Sequence, residues 1–425
     1  MINSQLNQIN GIENCRVCNK NKLVPILSLG NQCIINFTDE INQKTNSSPL
    51  ELVLCNQNEG GCGLLQLKHT VPPSMLYKKF WYKSGVNQTM KNELTDIVNS
   101  AEKIVNLVSN DIVVDIGAND GTLLRAYKTK NLILVGFEPA ENLMEEAKQG
   151  TTKIINDFFN YENFKKEFGN KKAKIITSIA MFYDLENPNK FVEDITKMLD
   201  ENGIWIIQMN YLSKMLENNA FDNIVHEHLE YYSLNSLEHL LTKYGLEVFD
   251  VELNDINGGS IRTYIKSKKC KKHPTTNSVQ QIRDYEERLS LDNPETYYQF
   301  ATRIKNLKKQ TFDFIQSEIK KGKKIYVYGA STRGNTLLQF YALDNHLINA
   351  AVDRNPVKWG KSTIGTNIPI ISEEQARREN PDYLLILPWY FLEEFKIREK
   401  SYLQKGGKFI VPLPEFTIID SASLT

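Results

Sequence analysis

Apolar residues along this chain fall into short runs set between longer amphipathic stretches. From about residue 111 to 265 the runs are Ile112-Val113-Val114, Leu132-Ile133-Leu134-Val135, Ile175-Ile176 and Ile204-Trp205-Ile206-Ile207. They return as Ile325-Tyr326-Val327-Tyr328, Ala350-Ala351-Val352, Leu384-Leu385-Ile386-Leu387 and Phe409-Ile410-Val411. Continuous apolar runs of this kind suit strands buried on both faces. Their alternation with helical patterns predicts an α/β protein, with parallel sheets covered by helices. The pattern also predicts helix over residues 71–105 and one long amphipathic helix from about Ser278 to Lys321. The charge run Lys266-Ser267-Lys268-Lys269-Cys270-Lys271-Lys272-His273-Pro274 reads as a solvated boundary between the two α/β regions. Three parts are expected: residues 1–70, which are turn-rich and cysteine-bearing, then 71–265 and 266–425.

Composition narrows the function. Lys+Arg is 51 and Asp+Glu is 51, so the formal net charge is zero. A nucleic-acid partner is not expected, because such binding needs a positive field to exchange for counterions. No apolar run approaches the roughly 20 residues that cross a bilayer, so no membrane partner is expected either. The polar start, Met1 to Glu13, lacks the apolar stretch of a signal peptide, and a cytoplasmic location is expected. The assembly state is expected to be monomer or weak homodimer.

Five of the six cysteines lie in the first 62 residues, and four of them form the pairs Cys15-x2-Cys18 and Cys55-x6-Cys62. A tight turn places two thiolates on one side of the chain, and a second pair completes a tetrahedral zinc site. Gly61 and Gly63 flank Cys62 and permit a sharp metal knuckle. A redox Cys-x-x-Cys would leave the second pair unexplained. Four thiolates leave no open position, so the expected zinc holds the fold and does no chemistry.

Asp115-Ile116-Gly117-Ala118-Asn119-Asp120-Gly121-Thr122 follows the first α/β strand. An acid at a strand end and a glycine turn into a helix let the backbone approach a cofactor closely. The pattern Asp-x-Gly-x-x-x-Gly is typical of S-adenosylmethionine sites in class I methyltransferases and differs from the dinucleotide pattern. Glu138, ending the next strand about twenty residues on, can bind both ribose hydroxyls. After the third strand, Asp157 suits the exocyclic amine of adenine and Phe158 its ring. With Ala180 after the fourth strand, the expected cofactor set is Asp115, Gly117, Asn119, Gly121, Glu138, Asp157, Phe158 and Ala180.

His226-Glu227-His228 joins two of six histidines to one carboxylate. The triplet is too tight for a helical zinc pair. In an extended segment, His226 and His228 share one face and Glu227 points the other way. An imidazole beside a carboxylate can remove a proton near neutral pH. The alternative is a polar loop with one satisfied histidine.

In the last region, Tyr328-Gly329-Ala330-Ser331-Thr332-Arg333-Gly334-Asn335 forms a degenerate glycine turn at a helix start, where amides can hold phosphate. Arg333 is expected to add a bidentate phosphate contact. Asp353 ends the next strand, and Lys358 and Gly360 follow on a loop. Alone, this pattern fits NAD or a purely structural turn.

From Cys15 to about Pro414 the chain resembles the nucleotide-sugar C-methyltransferase family of branched deoxysugar biosynthesis. The resemblance rests on the four-cysteine module, the cofactor domain with its His-Glu-His segment, and the C-terminal α/β domain. It implies a class I methyltransferase Rossmann-like domain between a small zinc-binding module and a C-terminal Rossmann-like domain. It further implies methylation at C3 of an NDP-4-keto-6-deoxy sugar. The motif matches suggest Glu227 and His228 as active-site groups, with His228 the base, and Tyr82 as the tyrosine that closes over substrate. With His226 as a possible donor, these four form the expected catalytic set. Gly329, Ser331, Arg333, Asp353 and Lys358 are then expected, with Tyr82, to hold the nucleotide sugar. Two positions depart from the family. Val225 stands where a tyrosine often precedes His-Glu-His. In Ala180-Met181-Phe182-Tyr183-Asp184, against the family's Ala-His-(Ile/Val)-x-Asp, Phe182 or Tyr183 is read as replacing the histidine. Sugar O-methylation and a non-catalytic binding role are the alternatives, and the chemistry itself requires no redox cofactor.

Overall fold

The computed structural model describes residues 9, 11–34, 37–38, 46–77 and 83–424. Seven strands form the central sheet, in the order Leu246–Asn254, Ser260–Ser267, Leu199–Asn210, Ala173–Ile179, Ile112–Ile116, Ile133–Phe137 and Lys153–Ile155. The last five are mutually parallel. Strand Ser260–Ser267 runs antiparallel to both neighbours. The expected parallel sheet is therefore mixed at one edge, because two strands joined by a short turn must pair antiparallel. This strand order places the ends of Ile112–Ile116 and Ala173–Ile179 side by side, at the point where the connections reverse direction. An open α/β sheet binds ligands at that point.

The last region forms a six-stranded sheet, ordered Ile370–Ile371, Ala350–Val352, Ile325–Tyr328, Tyr383–Ile386, Lys408–Val411 and Thr417–Ile419. It repeats the switch point, here between Ile325–Tyr328 and Tyr383–Ile386. The expected strands are present in both sheets, with boundaries moved by at most five residues.

Two helical expectations change. The long helix is split into Asn277–Arg288 and Pro294–Lys320. Asn293 caps the second helix, its side chain accepting from the Glu295 amide at 3.0 Å, and Pro294 occupies the first turn where no amide is needed. Over 71–105, Pro73–Leu76 is a single turn, and the main helix runs Gln88–Ile104 behind the Asn87 cap. The charge run is also not wholly solvated. Lys266 belongs to a strand, is buried, and donates to the carbonyls of Cys270 and His273.

The N-terminal module builds a third sheet with a borrowed strand. Its order is Leu23–Cys33, Ser47–Cys55, Leu65–Leu67 and Glu230–Tyr231, the last lying just beyond His-Glu-His. Glu230 pairs with Gln66 and Tyr231 with Leu65, and the Leu67 amide donates to the Leu229 carbonyl at 2.8 Å. Phe37–Thr38 pairs with Ser362–Thr363 of the C-terminal region. The zinc-binding module thus touches both other regions. Among the described residues, no helix is long and apolar enough to cross a membrane.

Candidate active site and metal centre

The four N-terminal cysteines converge. Their sulfurs all lie within 4.8 Å of one another, with Cys15 to Cys62 and Cys18 to Cys55 each at 3.5 Å. Ligands about 2.3 Å from a tetrahedral zinc stand roughly 3.8 Å apart, so the donor set fits that metal. Gly61 makes room: a Cβ there would stand 2.7 Å from Cys55 Sγ and 2.6 Å from the Asn56 carbonyl. Gly63 turns with φ +78°. None of the four is in a disulfide. Without a cation the thiols cannot all ionise. Hydrogen bonds from Cys55 and Cys62 pull Cys15 down to about 2, and contact with Cys15 drives Cys55 up to about 12.

The cofactor turn is held from below and from the side. Asp115 is buried, receives the Thr177 hydroxyl at 2.6 Å, and is raised by burial to about 7. Gly117 and Gly121 turn with φ +76° and +77°. A Cβ on Gly117 would meet Met181 Cγ at 3.0 Å, and one on Gly121 the Ala147 carbonyl at 2.9 Å. Glu138 is 6% exposed and accepts from the Asn119 and Ala140 amides, one on each carboxylate oxygen, both at 2.8 Å. Burial raises its pKa, and the two amides oppose that. Each oxygen keeps a second lone pair for a ribose hydroxyl. Asp157 accepts from the Phe158 amide and from Asn163, while the Phe158 ring is 46% exposed. Ala180 has φ +53°, and its amide donates to the Gln208 carbonyl at 2.8 Å.

The His-Glu-His segment is a turn, unlike the extended segment expected: the His228 amide donates to the Val225 carbonyl at 3.1 Å. Its histidines therefore do not share a face. His226 Nε2 donates to the Ser48 carbonyl of the zinc-binding module at 3.1 Å and is buried. His228 Nδ1 donates to the Asn223 carbonyl at 2.8 Å. A carbonyl can only accept, so the Nε2 of His228 carries the lone pair. Burial lowers both imidazoles to about 4 and raises Glu227 to about 7.

Two paths join this turn to the cofactor turn. Met181, over Gly117, opens the short turn Phe182–Asp184, and the Tyr183 ring meets His228 edge-on at 4.4 Å between centroids. On the other side, the Phe158 ring meets Tyr77 edge-on at 6.3 Å, and the Tyr77 hydroxyl donates to the Glu227 carbonyl at 3.4 Å. Tyr77 also bonds Asp184, whose pKa is raised well above the usual range by burial and then by Glu227. Asp184, Tyr77 and Asn223 stand at the candidate site although the sequence did not single them out; Asp184 and Asn223 lie inside the two motifs it did. Tyr82 lies outside the described residues. The following Ser84 and Gly85 amides donate to Asn119 and Asp120 of the cofactor turn at 2.9 and 2.7 Å.

The two departures read differently in three dimensions. Phe182 is fully buried against Phe191, Trp205 and Tyr232, with centroids 5.3–5.6 Å apart. It cannot replace a substrate-facing histidine. Met181, the residue directly after Ala180, is the one that faces the cofactor turn. Val225 is buried.

In the C-terminal region, Gly329 turns with φ +91°, and Ser331 caps helix Thr332–Tyr341 by accepting from the Gly334 amide at 3.0 Å. Asp353 accepts from the Ala330 and Asn355 amides and from Lys358 Nζ at 3.0 Å. Lys358 also donates to the Ala330 carbonyl at 2.6 Å. Arg333 departs from the expected phosphate contact. Its Nε donates to Asp222 Oδ2 at 2.9 Å, Nη2 lies 2.8 Å from the same oxygen, and Nη1 donates to the Asn257 carbonyl at 2.8 Å.

Three family models match successive stretches of the chain. The family "Putative zinc binding domain" matches residues 15–77, "Methyltransferase domain" residues 86–251, and "C-methyltransferase C-terminal domain" residues 255–414. The chain is 29% identical over 418 residues to the C-methyltransferase NovU of Streptomyces niveus, covering 97% of this chain and 98% of that protein. Among solved structures, an S-adenosylmethionine-dependent methyltransferase from Clostridium acetobutylicum is 15% identical, with a TM-score of 0.32 over 42% of this chain and 92% of that one. The plantazolicin methyltransferase BpumL with S-adenosylhomocysteine is 15% identical, with a TM-score of 0.33 over 41% and 82%. With models of a zinc-binding domain, a methyltransferase domain and a C-methyltransferase C-terminal domain matched in that order, the chain is similar to C-methyltransferases over nearly its whole length and is an S-adenosylmethionine-dependent methyltransferase.

Proposed function

We propose that the protein methylates C3 of an NDP-4-keto-6-deoxy sugar through an enolate. One observation carries the reading: the His228 Nδ1 proton is spent on the Asn223 carbonyl at 2.8 Å, so Nε2 is left as a base on the turn that Tyr183 and Met181 link to the cofactor turn. The 4-keto group acidifies the C3–H, because the carbanion formed is delocalised onto oxygen. His228 removes that proton. Its low pKa keeps the lone pair free of a proton through the neutral range, at some cost in basicity. Glu227, the neighbouring residue, supplies counter-charge to the imidazolium when it is ionised, while the Asn223 carbonyl orients the ring.

S-adenosylmethionine, when bound, supplies an electrophilic methyl group on sulfur. Glu138 holds its ribose, Asp157 and Phe158 its adenine, and the turn Gly117, Asn119 and Gly121 lets the backbone approach, with Asp115 beneath and Ala180 at the neighbouring strand end. Gly329, Ser331, Asp353 and Lys358 take the nucleotide end, at the start of the helix Thr332–Tyr341. Rate then comes mainly from placing base, carbon and methyl group within reach. The relative's description as a C-methyltransferase and the paired cofactor and base sites support carbon as the acceptor.

The test is product analysis with a panel of nucleotide sugars. A carbon-bound methyl on the 4-keto substrate supports the reading. A methoxy product makes the enzyme a sugar O-methyltransferase, and no product from any member of the panel removes the nucleotide-sugar assignment.

A further inference from the structure

The ion pair between Asp222 and Arg333 joins the C-terminal region to the active-site turn. Asp222 is 1% exposed, and its Oδ2 takes Arg333 Nε at 2.9 Å and Trp389 Nε1 at 3.3 Å. The guanidinium lies over the Tyr390 ring, 4.6 Å from its centroid. Arginine stays charged at any working pH, and a fork locked on a carboxylate and a carbonyl has little freedom. Asp222 directly precedes Asn223. The Asn223 carbonyl takes the His228 Nδ1 proton at 2.8 Å and lies 3.4 Å from the Tyr231 hydroxyl, while its side-chain oxygen accepts from Asn210 at 2.7 Å.

The geometry points to Arg333 as a positioning residue: by locking Asp222 it aims the Asn223 carbonyl, and that carbonyl decides which ring nitrogen of His228 is free to act as base. The inference rests on the proposed role of His228. It assigns the C-terminal region a part in catalysis beyond holding substrate.

A second effect follows from charge. The groups around His228 are the Tyr183 ring, the adjacent Glu227, Tyr231 on the shared carbonyl, Asp184 acting on Glu227 and Tyr231, and the Asp222–Arg333 pair. Burial is the main force against the imidazolium, and the Arg333 charge adds to it.

The test uses the full-length, zinc-loaded protein with 15N-labelled histidine and long-range nitrogen–proton spectra. His228→Asn assigns the signal among the six histidines. Wild type is expected to show one tautomer, protonated on Nδ1, and half-protonation near pH 4. Arg333→Gln is expected to populate both tautomers and to raise the midpoint by on the order of one pH unit. That variant leaves Asp222 unpaired and can fail to fold, so Asp222→Asn/Arg333→Gln is measured beside it; both tautomers are again expected, while the loss of both charges together leaves the midpoint near its wild-type value. A single Nδ1-protonated tautomer in either folded variant overturns the inference. Substrate C3 exchange in His228→Asn is read separately: persistence there removes the base assignment, while the tautomer spectra still decide the role of Arg333.

Discussion

Glu138→Gln isolates the ribose contact with least disturbance to the turn. In the wild type each carboxylate oxygen accepts one backbone amide at 2.8 Å and keeps one lone pair for a ribose hydroxyl. A glutamine offers a single oxygen. Its amide group must face the Asn119 or Ala140 N–H, so one backbone donor goes unpaired in both free and bound protein, and that cost cancels from binding. What remains is the ligand side. One charge-assisted bond is lost, worth about 1.5–3 kcal/mol, and the other falls to a neutral bond, about 1 kcal/mol weaker. The sum, about 2.5–4 kcal/mol, is roughly a hundred- to a thousandfold in Kd. Calorimetric titration with S-adenosylmethionine reads this directly, and a melting curve of the free protein checks that the turn persists. Affinity within about threefold of wild type in a folded variant would refute the ribose role of Glu138.

Three further outcomes follow from the same geometry. The purified protein should carry about one zinc per chain, and Cys62→Ser should lose it, with metal emission and melting temperature falling together; since the borrowed strand Glu230–Tyr231 is the zinc module's own edge, methyl transfer should fall too. An undiminished turnover in a zinc-free variant contradicts that coupling. Glu227 is raised from its ordinary 4.5 to about 7, so the folded protein holds its proton more tightly than the unfolded chain does; the stability this gives is complete below about 4.5 and is lost as pH rises through about 7. Glu227→Gln should therefore flatten melting temperature against pH across that window and be the more stable protein at pH 8, by about 1–3 kcal/mol, while lowering turnover; an unchanged slope would show the carboxylate to be solvated. His228→Asn should abolish methyl transfer and leave S-adenosylmethionine affinity within about twofold, and equal losses in both would make His228 a structural residue.

What could be read from the residues was local. Cysteine spacing, the glycine turn after Asp115 and the acid at Glu138 each depend on a few neighbours, and the structure has the sulfurs converged, the turn formed and Glu138 bonded to its amides. The His-Glu-His turn was harder, because its shape is imposed from far away. His226 is held by Ser48 and residues 229–231 by a strand of the zinc-binding module, some 160 positions earlier in the chain. Arg333 carries the right charge for phosphate, and only the three-dimensional structure reveals Asp222 as its partner. Phe182 illustrates a third kind of error. A turn after a strand sends consecutive side chains to different sides, so Phe182 enters the core while its neighbour Met181 faces the cofactor turn. The break at Asn293-Pro294, by contrast, was legible as a helix start and was overridden by the amphipathic pattern around it.

The central claim is that this site makes a carbon–carbon bond by way of an enolate. Its most direct test is proton NMR of an NDP-4-keto-6-deoxy sugar incubated with the enzyme in heavy water, first without and then with S-adenosylmethionine. The account predicts loss of the C3 proton signal in the first stage, dependent on His228. In the second stage it predicts a C-methyl singlet on the product. A methoxy signal, with the C3 proton retained throughout, would contradict it.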